Sequence, residues 1–153
     1  MSGDTSRVDV SAELSAPCSV TELFGWIDDL SRYPQWMGLV HRADVSAARD
    51  GRPAWDVELR ARIGPFARSK RLTMVRTVCT PDSTVVFERA ENDSRQHSVW
   101  RLSAAVAATE EGSKLDMHLH YGGGLWTGGL VERALVDEIN SSRDRLLVLL
   151  ESA

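Results

Sequence analysis

A glycine cluster near the C-terminus constrains this chain more than any other feature, because it hands a run of strand-like residues over to one long amphipathic helix. The stretch Tyr121-Gly122-Gly123-Gly124-Leu125-Trp126-Thr127-Gly128-Gly129 is followed by apolar residues at Leu130, Val131, Ala134, Leu135, Ile139, Leu146, Leu149 and Leu150. That is helical spacing with a broad apolar stripe. A helix so apolar on one side needs a large partner surface. A curved antiparallel sheet built from the preceding residues would supply it, and helix and sheet would then enclose a cavity.

The preceding residues carry the matching pattern. Val8, Val10, Ala12 and Leu14 alternate with Asp9, Ser11 and Glu13, the period of two of a strand with one buried face. Ser19-Val20-Thr21-Glu22 has the form of a capping box, so a helix is expected to start at Ser19. Val20, Leu23, Phe24, Ile27 and Leu30 share one face of it, and Pro34 stops it by forcing Tyr33 out of helical geometry. From Gly38 onward turn chemistry recurs at Asp50-Gly51, Gly64-Pro65, Pro81-Asp82, Asn92-Asp93 and Glu111-Gly112-Ser113. Candidate strands lie between at 39–47, 54–63, 67–80, 84–91, 96–108 and 114–122. No helical period interrupts them, so the pairing is expected to be antiparallel. No repeat, low-complexity tract or linker divides the chain, and residues 1–153 read as one domain.

Composition excludes some classes of function. The 18 basic and 22 acidic residues leave a net charge of −4, which does not favour nucleic acid as a partner. No apolar run approaches the roughly 20 residues of a membrane span, so no integral membrane association is expected. The opening Met1-Ser2-Gly3-Asp4-Thr5-Ser6 lacks the basic and then apolar order of a signal peptide, and a cytoplasmic location is the expectation. Cys18 and Cys79 have no metal-ligand spacing and read as reduced, buried residues.

The order of strand, short helical region, six-strand meander and long C-terminal helix comes with particular residues. Ala16-Pro17, the stretch Asp28-Asp29-Leu30-Ser31-Arg32-Tyr33-Pro34-Gln35-Trp36, the strand around Trp100 and the glycine-rich entry to the last helix resemble the SRPBCC superfamily. Within it the likeness is to the bacterial polyketide cyclase/dehydrase and lipid-transport group, relatives of START and Bet v 1-like proteins. It runs from about Val8 to Leu150. The resemblance implies an α+β helix-grip fold, a curved seven-stranded antiparallel sheet around the helix, with an apolar cavity between them. Members include carriers, cyclases and ligand sensors, so the fold does not choose among these functions.

Alternation separates the two faces of each strand. Trp55, Val57, Leu59, Ala61 and Ile63 share one face and Asp56, Glu58, Arg60 and Arg62 the other. Leu72 with Met74, Val85 with Phe87, the Trp100, Leu102, Ala104 and Val106 set, and the Leu115, Met117, Leu119 and Tyr121 set should also point inward. Leu135 and Ile139 sit mid-helix, where a cavity would be deepest. The residues expected to line a ligand cavity are therefore Trp55, Val57, Leu59, Met74, Phe87, Trp100, Leu102, Met117, Leu119, Tyr121, Leu135 and Ile139. Aromatic and methionine side chains suit an apolar ligand; the plainer reading of each alone is filled core.

Inward polar groups are few. Tyr121 could donate a hydrogen bond or act as a general acid, and Arg89, on the face of Val85 and Phe87, could orient a carboxylate or enolate oxygen. A rim hydroxyl and a cross-sheet ion pair are their structural alternatives. Asp116, His118 and His120 alternate on the solvent side of the last strand and read as a solvated face, so no metal or other cofactor is expected. Gly123 and Gly128 have the outer spacing of a phosphate loop, but Gly129-Leu130 stand where lysine and Ser/Thr are required. Arg60, Arg62, Arg68, Lys70, Arg71 and Arg76 cluster around Gly64-Pro65-Phe66. They read as the outer face of a hairpin, with a membrane or carrier-protein contact as the alternative. The resulting expectation is a monomer or homodimer that binds a lipid, polyketide-like aromatic or isoprenoid. The rivals are a cyclase/aromatase using Tyr121 and Arg89, and a regulatory or stress-response partner protein.

Overall fold

The computed structural model describes residues 7–63, 65–91, 97–122 and 129–151. Its elements are β1 (Arg7–Ala16), α1 (Val20–Gly25), a 3-10 helix (Leu30–Gln35), β2 (Val40–Arg49), β3 (Arg52–Ile63), β4 (Phe66–Thr80), β5 (Thr84–Arg89), β6 (Trp100–Thr109), β7 (Gly112–Gly122) and α2 (Gly129–Glu151). The strands form one seven-stranded sheet in the order β1-β7-β6-β5-β4-β3-β2, each pair antiparallel. Thus β1 leaves the meander and pairs with its last strand. The fold is the expected helix grip, with α2 packed on β1 and β3.

Period-two patterning becomes burial on the concave face. Val8, Val10, Leu14 and Ala16 of β1 are buried, as are Trp55, Val57, Leu59 and Ala61 of β3 and the inward sets of β5, β6 and β7. Local turn chemistry holds the registers. Asp50 and Gly51 both take positive φ, 52° and 77°, the requirement of a two-residue hairpin whose twist matches its strands. Register shifts between Val40 and Arg42, Ser46 and Arg49, and Arg76 and Val78 mark irregularities where the sheet bends. Gly64 and 92–96, which hold two of the expected turns, and most of the glycine cluster lie outside the described residues.

Two expectations need correction. The helix starting at Ser19 is not continuous to Tyr33. Ser19 does cap it, accepting from the Glu22 amide at 3.1 Å, but α1 ends at Gly25 and Asp29 caps a separate 3-10 helix by accepting from the Ser31 amide at 2.9 Å. Pro34 lies inside this second helix. The break lets Tyr33, Trp36 and Ile27 all turn inward: the Tyr33 hydroxyl donates to the Ile27 carbonyl at 2.8 Å, and the Trp36 ring packs tilted at 43° against Tyr33 with centroids 4.9 Å apart. Cys79 is exposed rather than buried, because β4 runs there toward the surface turn at Pro81.

Helix α2 is fixed by a polar latch as well as by its apolar stripe. Leu135, Leu146 and Leu150 are buried, with Ile139 partly so. Ser142, fully buried in the same stripe, donates to the Glu138 carbonyl at 2.7 Å and accepts from the Gly38 amide at 3.1 Å. Arg145 adds a bond from Nε to the Trp36 carbonyl at 3.0 Å. The Ser142→Ala variant removes the acceptor of the Gly38 amide and is expected to lose about 0.5–1.5 kcal/mol in urea unfolding.

At the other end, Gly112 opens β7 with φ 149°, and a Cβ there would collide with the Ala16 carbonyl and lie 2.9 Å from the Cys18 amide. Gly112→Ala is accordingly expected to destabilise by more than about 1 kcal/mol, with Gly51→Ala, strained but open to solvent, costing less in the same experiment.

Candidate functional site

Between the concave face and α2 lies a cavity of about 60 Å³ with an entirely apolar lining. Val57 and Leu59 of β3 and Met74 of β4 form one wall. Trp100, Leu102, Met117 and Leu119 of β6 and β7 form the other, and Ile139 of α2 closes the top. These eight come from the residues expected to face a ligand. The lining also includes Val10, Ala12, Met37, Val40 and Leu72, whose signal was partly present: β1 alternation marks Val10 and Ala12 as inward. Met37 could not be read from periodicity, since it lies in the turn after the 3-10 helix.

Trp55, Phe87, Tyr121 and Leu135 are buried beside this cavity rather than in its lining. Trp55 and Phe87 meet edge to face at 5.5 Å, and Phe87 meets Tyr33 in the same way at 6.1 Å. This aromatic chain is packed core in which each ring's edge meets the next ring's face. A second void of about 20 Å³ lies closer to the C-terminal half of α2. Ala12, Met37, Met117 and Ile139 line both voids, so the partition between them is made of four side chains, two of them methionines.

At the cavity's far end Trp100 stacks on Tyr121, with ring centroids 4.2 Å apart and planes within 10°. Burial, helped by the negative charge of Glu132, pushes the Tyr121 hydroxyl far above the ordinary tyrosine range. It therefore stays protonated and can act only as a hydrogen-bond donor or acceptor at neutral pH.

Arg89 does face inward, opposite Met74, but its guanidinium is engaged on all three nitrogens. Nε donates to Glu91 Oε2 at 2.8 Å, one terminal nitrogen donates to the carbonyl and hydroxyl of Ser98 at 3.3 Å each, and the other lies 3.2 Å from His97 Nδ1. Burial alone would raise the Glu91 carboxyl, yet the bonds from Arg89 and the Thr73 amide together hold it below the usual glutamate range.

The six basic residues do not form one surface. Arg60, Arg62 and Arg71 are exposed on the convex side, Arg60 3.4 Å from Glu58. Arg68 and Lys70, in contrast, share the inward parity of Leu72 and Met74, and Arg76 donates to the Asp28 carbonyl at 2.9 Å. Phe66 stands 70% exposed beside this hairpin's turn. The expectation of a uniformly outward hairpin fails because β4 alternates like every other strand of the sheet. Burial, aided by the nearby Arg89 charge, holds the Lys70 ammonium below the ordinary lysine range.

On the convex side His118 Nε2 and His120 Nδ1 each lie 2.8 Å from Asp9 Oδ1. The hydrogen bond from His120, assisted by His118, lowers the Asp9 carboxyl against the opposing effect of desolvation. Among the described residues no group of three or more His, Cys, Asp or Glu side chains is placed to hold a metal ion, and no helix is long and apolar enough to cross a membrane.

The fold is a helix grip. The chain is similar in structure to a START superfamily protein from Mycobacterium smegmatis, with 15% identity, 95% of this chain and 97% of that one covered, and a TM-score of 0.67. It is equally similar to the di-domain ARO/CYC protein BexL of the BE-7585A biosynthetic pathway, with 13% identity and a TM-score of 0.67, and less so to the di-domain ARO/CYC protein StfQ of the steffimycin pathway, with 16% identity and a TM-score of 0.59. It covers 97% of itself but 51% of BexL, and 94% of itself but 49% of StfQ, so it spans about half the length of either. No protein-family model matches the sequence, and no curated protein matches it either.

The lowered Glu91 carboxyl carries a stability prediction. A carboxyl depressed in the folded state stabilises above its unfolded value and ceases to do so as pH falls through the folded one. Glu91→Gln is expected to lessen the loss of thermal stability on acidification below about pH 4.5, measured by calorimetry against the parent protein.

Proposed function

We propose that this protein binds a small apolar molecule, or the apolar part of an amphiphile, in the cavity between the sheet and α2, and acts as a carrier or sequestering protein. The observation that carries the reading is the wholly apolar lining drawn from both sheet and helix. Its volume narrows the ligand class. At about 60 Å³ the void is well below the ~150 Å³ of an engineered cavity that takes benzene, so a ligand enters by displacing side chains. Three of the four methionines line it, and methionine gives way at low cost. Swinging Met37 and Met117 aside would join the two voids into one channel along α2. A slim alkyl or isoprenoid chain suits that shape better than fused rings.

Native mass spectrometry of freshly purified protein, with organic extraction of whatever is released, tests this directly. A retained apolar molecule of discrete mass is expected. Ala12→Leu fills the junction of both voids without removing any contact. It should abolish the adduct while leaving the thermal midpoint unchanged or raised, whereas an adduct that survives this substitution would place the ligand elsewhere.

A cyclase reading has one observation in its favour besides the likeness to two ARO/CYC proteins: Tyr121 is stacked on Trp100, which lines the cavity. Against it, Arg89 is already neutralised by Glu91. A poly-β-ketone thioester mixed with the protein is therefore expected to close no faster than in buffer. Acceleration that disappears in Tyr121→Phe would establish the cyclase in place of the carrier.

A further inference from the structure

We infer that the ligand is an amphiphile with an anionic head, carboxylate or phosphate, held by Arg68 and Lys70 where they extend the apolar wall of the cavity toward its end. This rests on the binding reading above and names the chemistry of the ligand's other end.

The β3–β4 register sets Lys70 opposite Leu59 and Arg68 opposite Ala61. Directly opposed residues of an antiparallel pair project to the same face. Leu59 lines the cavity and Ala61 is buried, so both cations continue the row that Leu72 and Met74 begin. Burial follows the same parity: Arg68 and Lys70 are half-buried while Ala67, Ser69 and Arg71 between and beside them are exposed. The Arg68 Nε is fully buried and has no hydrogen-bond partner among the described residues.

Other cations on this face are treated differently. Arg76 is satisfied by the Asp28 carbonyl, and Arg89 by Glu91 and Ser98. Glu91, the carboxylate that acts on Lys70, is committed to Arg89 and the Thr73 amide. Arg68 and Lys70 are thus two partly desolvated positive groups for which the described residues provide no uncommitted anion. Buried charge without a partner is costly, and buried polar groups in native proteins are almost always paired. An acidic head supplies the acceptor: guanidinium and ammonium both donate to carboxylate or phosphate oxygens, and such charge-assisted bonds are the strong ones. The chain attached to that head would then run past Leu59, Leu72 and Met74 into the cavity.

The test uses the whole protein labelled with ¹³C at the methionine methyls, since Met37, Met74 and Met117 line the cavity. Octan-1-ol, octanoate and octyl phosphate share one tail and differ in the head, and each is titrated while the methyl signals are followed. Octanoate or octyl phosphate is expected to bind about tenfold more tightly than octan-1-ol, as one charge-assisted interaction would give, and the tighter of the two identifies the head. Lys70→Gln and Arg68→Gln should each remove most of that preference and leave octan-1-ol within twofold, while Lys70→Arg should retain it. If all three bind alike, the head-group inference is overturned and the cavity stands. If none moves the cavity methyls, the binding reading fails and takes this inference with it.

Discussion

The rest of this structure depends on how one helix is seated on one curved sheet. The apolar stripe of α2, through Leu135, Leu146 and Leu150, supplies the area, and each such side chain contributes about 1.5–3 kcal/mol when fully buried. Area alone does not choose a position along a sheet. The buried Ser142 does, because its hydroxyl bonds only where the Gly38 amide presents itself, and Arg145 reaches the neighbouring Trp36 carbonyl. Gly38 allows this approach: a Cβ there would collide with Glu138 and Arg145. Moving the helix by a turn would break these bonds and leave the Ser142 hydroxyl buried away from Gly38.

That seating explains why an interior void survives. A helix held at a fixed place over a curved sheet leaves space that depends on the depth of the curve, and the available side chains fill most of it. Near the 3-10 helix the rings of Tyr33, Trp36, Trp55 and Phe87 pack against one another. Toward the middle the lining turns to branched aliphatics and methionines, which do not interlock as rings do, and the two voids remain. Packing density and adaptability are thus divided along the length of the same core.

Charge is arranged by the same geometry. On the convex face, polar contacts such as Asp9 with His118 and His120, and the ion pair of Lys114 with Glu13 at 2.8 Å, join adjacent strands in solvent and add little each. Inside, a cation matters more. Arg89 and Arg76 are tied down and serve as structure, whereas Arg68 and Lys70 sit half-buried on the cavity side of β4.

Much of the architecture was legible because it rests on short-range rules. Alternation at Trp55-Val57-Leu59, the Asp50-Gly51 turn and the Ser19 cap each depend on a few neighbouring residues, and strand faces follow from parity alone. Parity also placed Val57, Leu59 and Met117 toward the cavity. It could not separate them from Trp55 or Phe87, which have equal right to face inward, because lining and core differ only in what stands opposite across the interior. The break at Gly25 and the inward turn of Arg68 and Lys70 follow local rules, the Asp29 cap and the parity of Leu72 and Met74, and were overlooked in favour of a longer helix and an outward basic cluster. The role of Ser142 is different, because it is decided by Gly38, 104 residues away. Local conformational preference and hydrophobic period were enough for the strands, their faces, the long C-terminal helix and the class of fold. Where interior space remains, and which partner Ser142 finds, came from the folded arrangement alone, because both depend on what stands opposite a residue across the interior.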